Sequence, residues 1–174
     1  MGNCIDLYEG MEKDGISMSN GTTSVVISVL VLAGSRLAIS ERHKELIVWL
    51  AYQDQSVRGI GTVGFYMNEI PWSKEGFEEE KQFLSSVIKG AISESGWQTL
   101  DYHPNRSRIA PLLEKLDDML KQFQITYVDE LNYAEWKEIF RESFPDGYPI
   151  CRRHHAFMSE WGCVVCHDSR NDKI

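Results

Sequence analysis

Two short pairs near the carboxyl end, Cys151-x-x-His154 and Cys163-x-x-Cys166, have the residue types and spacing for metal ligation. Thiolate sulfur and neutral imidazole nitrogen are the donors zinc prefers. Two of them two residues apart close on one ion through a tight turn whose backbone amides also donate to the sulfurs. Two such turns complete a tetrahedron, so Cys151, His154, Cys163 and Cys166 are the expected ligands of one structural Zn2+ with no open coordination position. His155 and His167 are alternative imidazoles to His154. An ion held by four protein groups contributes on the order of 10 kcal/mol to folding its own segment. The segment PICRRHHAFMSEWGCVVCHD needs that help, because its local core is limited to Ile150, Phe157, Met158, Trp161, Val164 and Val165.

Two other chemistries compete for these residues. Cys163-Val164-Val165-Cys166-His167 spells the C-x-x-C-H of covalent haem attachment. That chemistry accompanies export, whereas MGNCIDLYEG lacks a basic region followed by an apolar run, and haem leaves Cys151 and His154 unexplained. A redox dithiol needs Cys-x-x-Cys at a helix N-terminus after a strand, and nothing upstream has that setting. The two turns resemble the paired knuckles of zinc ribbons and treble clefs, from Cys151 to Cys166 only. The resemblance implies a bound zinc and no particular activity, since such knuckles serve nucleic-acid binders, enzymes and adaptors alike.

The rest of the chain must supply a platform for this tail. Residues 1–21, rich in Gly, Asn, Asp and Ser, read as a loosely ordered lead-in. Thr22, Thr23 and Ser24 offer N-cap hydroxyls to a buried helix running to about Ile39, although its Val and Ile content also suits a strand. Ser40 caps the next helix, whose apolar positions are Leu46, Ile47, Trp49 and Leu50. Gly59, Gly61, Gly64 and Pro71 then forbid a helix. That stretch lacks the strand-to-helix context of a nucleotide-binding loop, so it reads as a tight connector packing Phe65, Ile70 and Trp72 over the core. A third helix opens at Ser73, with Glu75, Glu78, Glu79 and Glu80 as a solvated acidic face and an apolar stripe from Leu84 to Ile92. Trp97 to Tyr102 reads as a short extended piece. The stripe Ile109, Leu112, Leu113, Leu116, Met119, Leu120 and Phe123 marks a fourth helix from about Arg106. Asn132-x-x-Glu135 resembles a capping box opening a fifth. The expectation is a mainly α protein: a bundle of four to five helices over 22–144 with a Gly-rich connector, and a zinc-binding knuckle over 145–174 packed on it.

Composition narrows the function. A net charge of −8 over 174 residues and a pI near 5.1 point away from a duplex-binding surface and towards solubility or a basic partner. Val25 to Ala33, the longest apolar run, is short for a membrane span and belongs in a core. Three of the four cysteines lie in the tail, which fits metal ligation in a reducing, cytoplasmic setting and leaves Cys4 as a plain thiol. No His-Glu-x-x-His, Gly-x-Ser-x-Gly or Walker sequence is present, so no catalytic residue is expected. The reading that suits these features is a protein acting by protein–protein binding, an adaptor or an inhibitor of the immunity-protein kind. It would use an acidic face or the aromatic region from Phe65 to Trp72. A nucleic-acid-associated factor using the zinc tail is second. A hydrolase assembled from scattered groups such as His43, Asp54 and Glu69 is third.

Overall fold

A computed structural model describes residues 3–10 and 14–167. The chain runs β1 (Asn3–Asp6), β2 (Ile16–Met18), α1 (Asn20–Leu37), α2 (Glu41–Ala51), β3 (Asp54–Gln55), β4 (Gly61–Thr62), β5 (Phe65–Tyr66), α3 (Phe77–Ile92), α4 (Arg106–Gln122) and α5 (Glu130–Ser143), followed by the Cys/His tail. Five helices, two small sheets and the tail make a mainly α architecture.

α1 is the axis. Ser19 caps it by accepting from the Thr22 amide at 3.3 Å, in place of the hydroxyls expected at 22–24. From Val26 to Gly34 every residue is buried, because α2, α3, α4 and the tail cover different sides of it. A helix apolar all round is stable in water only when enclosed, which settles the helix-or-strand ambiguity of this Val-rich stretch. By length and composition α1 could also cross a membrane; here it is the central core helix. Gly34 lets α2 approach it, since a Cβ there would lie 2.2 Å from Ile47 Cδ1. Ser40 caps α2 as expected, accepting from the His43 amide at 3.1 Å.

Four local expectations are corrected. The lead-in is ordered over its described strands: β1 pairs antiparallel with β2 and parallel with β5, and Ile5 is fully buried. Strands this short carry no signal of their own, and the second partner of β1, β5, lies about sixty residues on in the chain. The piece after α3 is a 3-10 turn, Trp97–Thr99, because left-handed Gly96 reverses the chain and the Leu100 amide donates to Trp97 O at 3.0 Å. Asp129 caps α5 through the Leu131 amide at 2.9 Å, while Asn132 donates instead to Asn68 O at 2.9 Å. The acidic face of α3 is incomplete, since Glu80 is 2% exposed.

The Gly-rich connector does pack Phe65, Ile70 and Trp72 into the core, and those three are at most 6% exposed. The Phe65–Trp72 region is thereby withdrawn as a docking surface. Gly64 holds β5 against β1 so closely that a Cβ would stand 1.9 Å from the Cys4 carbonyl oxygen, a backbone atom that cannot step aside. Gly64→Ala is expected to lower stability by about 2–3 kcal/mol. Gly21→Ala, in the first turn of α1 with nothing within 4 Å, should raise it by about 0.5–1 kcal/mol. Urea denaturation of the two variants checks both signs.

Candidate metal centre

The tail is two tight turns facing each other. In the first, Cys151 to His155, the His155 amide donates to Cys151 O at 2.7 Å; in the second, Cys163 to His167, the His167 amide donates to Cys163 O at 2.8 Å. His155 and His167 are both left-handed, with φ of 52° and 55°, the conformation that closes each loop. Glycine adopts it without strain and other residues do so at about 1 kcal/mol or more. Both turns therefore have the same build, Cys-x-x-(His or Cys)-His, with the fifth residue closing the loop rather than supplying a donor. That repeat is present in the sequence as two histidines at equivalent positions, His155 and His167.

The turns bring Cys151, His154, Cys163 and Cys166 together, with all four ligand atoms within 4.8 Å of one another. His154 Nδ1 lies 3.5 Å from Cys151 Sγ and 3.6 Å from Cys163 Sγ, and Cys151 Sγ lies 3.9 Å from Cys166 Sγ. Four donors around one ion at zinc–ligand lengths stand about 3.6–3.8 Å apart, and these three distances lie close to that value. The group could hold one metal ion. It is the one group of three or more His, Cys, Asp or Glu side chains, among the described residues, that could do so.

Burial favours the neutral forms of the donors. Burial pushes the Cys163 thiol up to about 12, although the Cys166 and Val165 amides pull the other way. A redox dithiol requires the opposite, a depressed thiol pKa, whereas a dication at the centre would supply the missing stabilisation of three thiolates. Burial first, and then Arg153, hold the His154 imidazole below its ordinary value, in the neutral form that binds metal. The Val165 amide lies 3.5 Å from Cys163 Sγ, the amide-to-sulfur contact expected of a knuckle.

The body fixes both turns. Arg36 of α1 reaches the His154 carbonyl oxygen at 3.5 Å, and Ser35 Oγ accepts the Phe157 amide at 2.9 Å. Ser28 Oγ donates to Val164 O at 3.5 Å. Trp161 packs edge-on against Tyr52 of α2 with 5.1 Å between centroids, and Phe157, Met158, Cys163 and Val164 join the same buried core as the helices. His167 Nε2 lies 2.9 Å from Asp54 Oδ2, while Asp54 Oδ1 accepts from the Ser56 amide and hydroxyl. Asp54 thus anchors the second turn to the β3–β4 hairpin. His155 is exposed and lies outside the cluster.

The scattered groups considered for hydrolysis stay apart. His43 stacks on Phe83 at 3.8 Å with its Nδ1 3.4 Å from the Ile39 amide, Asp54 serves His167 and Ser56, and Glu69 accepts from the Tyr66 amide at 2.7 Å. What the sequence reading missed is a buried ionic knot. Arg42 makes two bonds to Glu80 (2.7 and 3.2 Å) and one to Glu45 (2.8 Å), and also donates to Pro71 O. Lys137 of α5 closes on Glu45 at 2.9 Å. Its only trace in the sequence was Arg42 and Glu45 three residues apart on one helix face. The chain matches none of the protein-family models, curated proteins or solved structures with which it was compared.

Proposed function

We propose that this chain is a zinc-stabilised protein that acts by binding another protein, as an adaptor or as an inhibitor of the immunity-protein kind. The observation that carries the reading is the gathering of four protein donors within 4.8 Å of one another: an ion held by all four would have no position left for water or substrate. A closed site stabilises and does not catalyse, so the work falls to the surface. Zinc is the ion that a Cys3His tetrahedron suits best, being without redox chemistry and content with sulfur and nitrogen. The acidic balance of the chain, −8, favours a basic partner.

A second reading, a nucleic-acid-associated factor using the tail, draws on Arg152 and Arg153, both exposed at the tip of the first turn. The two readings separate in one experiment. The tagged chain, purified from nuclease-treated extract, is expected to carry one zinc by elemental analysis. It should also retain a protein that rebinds as a purified component at the same stoichiometry. Cobalt substitution should give the intense visible absorption of a tetrahedral, thiolate-rich ion. Retention that nuclease abolishes would replace the first reading with the second.

A further inference from the structure

Resting on the protein-binding reading, we infer that the outward face of α5, with the turn leading into it, is the docking surface, and that its occupant is a basic protein presenting apolar side chains among its lysines and arginines. α5 has two faces with different work. The inner one is spoken for: Trp136 packs on Tyr52 at 5.0 Å, Phe140 is 2% exposed, and Tyr133 lies beneath Arg42 at 4.9 Å. The outer face carries Leu131, Ala134, Glu135, Glu138, Ile139 and Glu142, all exposed. Their steps of three and four residues put them on one stripe.

Exposed aliphatic residues scattered singly mean little. These are not scattered. Of the ten large hydrophobic residues that stand out among the described ones, four (Ile125, Tyr127, Leu131 and Ile139) fall between residues 125 and 139, and Leu131 is 70% exposed. Tyr127, ahead of the helix, stacks on Tyr8 of the N-terminal segment at 4.8 Å and leans on the buried Phe123 ring at 5.9 Å. From 125 to 142 the chain carries Asp129, Glu130, Glu135, Glu138 and Glu142 against Lys137 and Arg141, and Lys137 is turned inward onto Glu45. Glu130 is paired with Lys74 at 3.3 Å and Glu138 with Arg141 at 3.6 Å, so the outward charge is moderately negative and rests on Asp129, Glu135 and Glu142 beside Leu131 and Ile139. That combination is the complement of a cationic interface with aliphatic anchors.

The same charge argues against a second copy of this chain, since an isologous contact would set carboxylates against carboxylates. It also distinguishes this face from the acidic turns of α3. There the exposed positions Glu75, Glu78, Glu79, Gln82 and Ser86 are polar throughout, so α3 offers charge without an anchor.

The test uses the full zinc-loaded chain and two synthetic peptides of equal charge, one a helix of alternating leucine and lysine faces, the other lysine with serine. Amide chemical-shift mapping is expected to place the first peptide on residues 125–142. Its affinity should exceed the second peptide's by tenfold or more, and should fall tenfold in Leu131→Ser/Ile139→Ser and in Glu135→Lys/Glu138→Lys, with the far-ultraviolet spectrum unchanged. Glu78→Lys/Glu79→Lys, on α3, should leave it within a factor of about two to three. Saturable, leucine-dependent binding mapped elsewhere would overturn this surface while leaving the protein-binding reading in place. No saturable binding of either peptide would overturn both, and self-association of the free chain through α5 would replace the basic partner with a second copy.

Discussion

Removing the metal is expected to unfold the tail and loosen the axis of the fold beneath it. The four donors come from two turns that meet at the cluster, while the two isolated bridges are local: Ile150 with Phe157 closes the base of the first turn and Ser159 with Gly162 reverses the link between the turns. Without an ion, three thiols and an imidazole are crowded together with only weak sulfur contacts between them, and the thiol of Cys163 is held protonated by burial. A four-ligand zinc site contributes on the order of 10 kcal/mol to its own segment, comparable with the whole stability of an ordinary domain. Part of that loss passes to the body, because α1 loses the Phe157 amide from Ser35, the Val164 carbonyl from Ser28 and the apolar cover of the tail. If about 4–6 kcal/mol reaches the body, the melting temperature drops by roughly 10–20 °C for a chain of this size. Hydrogen exchange should show residues 150–167 losing protection first and the Ser28–Arg36 stretch next, with α4 least changed. Cys163→Ser should reproduce the chelated state. Cys4→Ser should not, because Cys4 is exposed and outside the cluster. Unchanged melting and tail protection after the metal is stripped would show that the tail folds by packing alone.

The parts of this molecule legible in the sequence are those whose partners are close in the chain. A knuckle is complete within five residues, so Cys151-x-x-His154 and Cys163-x-x-Cys166 make the Cys/His cluster legible; only the identity of its imidazole stays open, and His154 is the one that lies in it, with Nδ1 towards Cys151 and Cys163. The stripe of α4 was legible for the same reason, since each apolar residue predicts the next one turn away. Glu80 was misread because nothing near it in sequence says otherwise: it follows Glu78 and Glu79, and its partner Arg42 is thirty-eight residues back on another helix. The strands β1 and β2 carry no local signal either: they are four and three residues long, they pair across an ordinary connection, and β1 takes its second partner, β5, from about sixty residues on, with Gly64 the mark of how closely it approaches. Long-range pairing leaves no local period to read.

Breaking the knot around Arg42 should cost more than any other single change outside the metal centre. Arg42 joins α2 to Glu80 of α3, Glu45 on its own helix and the Pro71 carbonyl, and Glu80 further accepts from the Ser73 amide and hydroxyl at 3.0 and 2.6 Å. Two carboxylates and two cations, with Lys137 the second, neutralise each other in a site where Glu80 and Glu45 are almost wholly removed from water. Arg42→Met leaves Glu80 without a counter-charge, and breaking a buried pair from one side costs about 3–5 kcal/mol. Glu80→Leu likewise strands the guanidinium, at a smaller cost because Glu45 and Pro71 still hold it. The double variant should be less unstable than Arg42→Met alone, since desolvating both charges was itself expensive. Chemical denaturation of the four proteins closes the cycle, with a coupling of at least about 2 kcal/mol expected. Additive losses would mean that the ion pair contributes nothing as a pair, and that α2 and α3 are held together by the stacking of His43 on Phe83 and by their shared packing on α1.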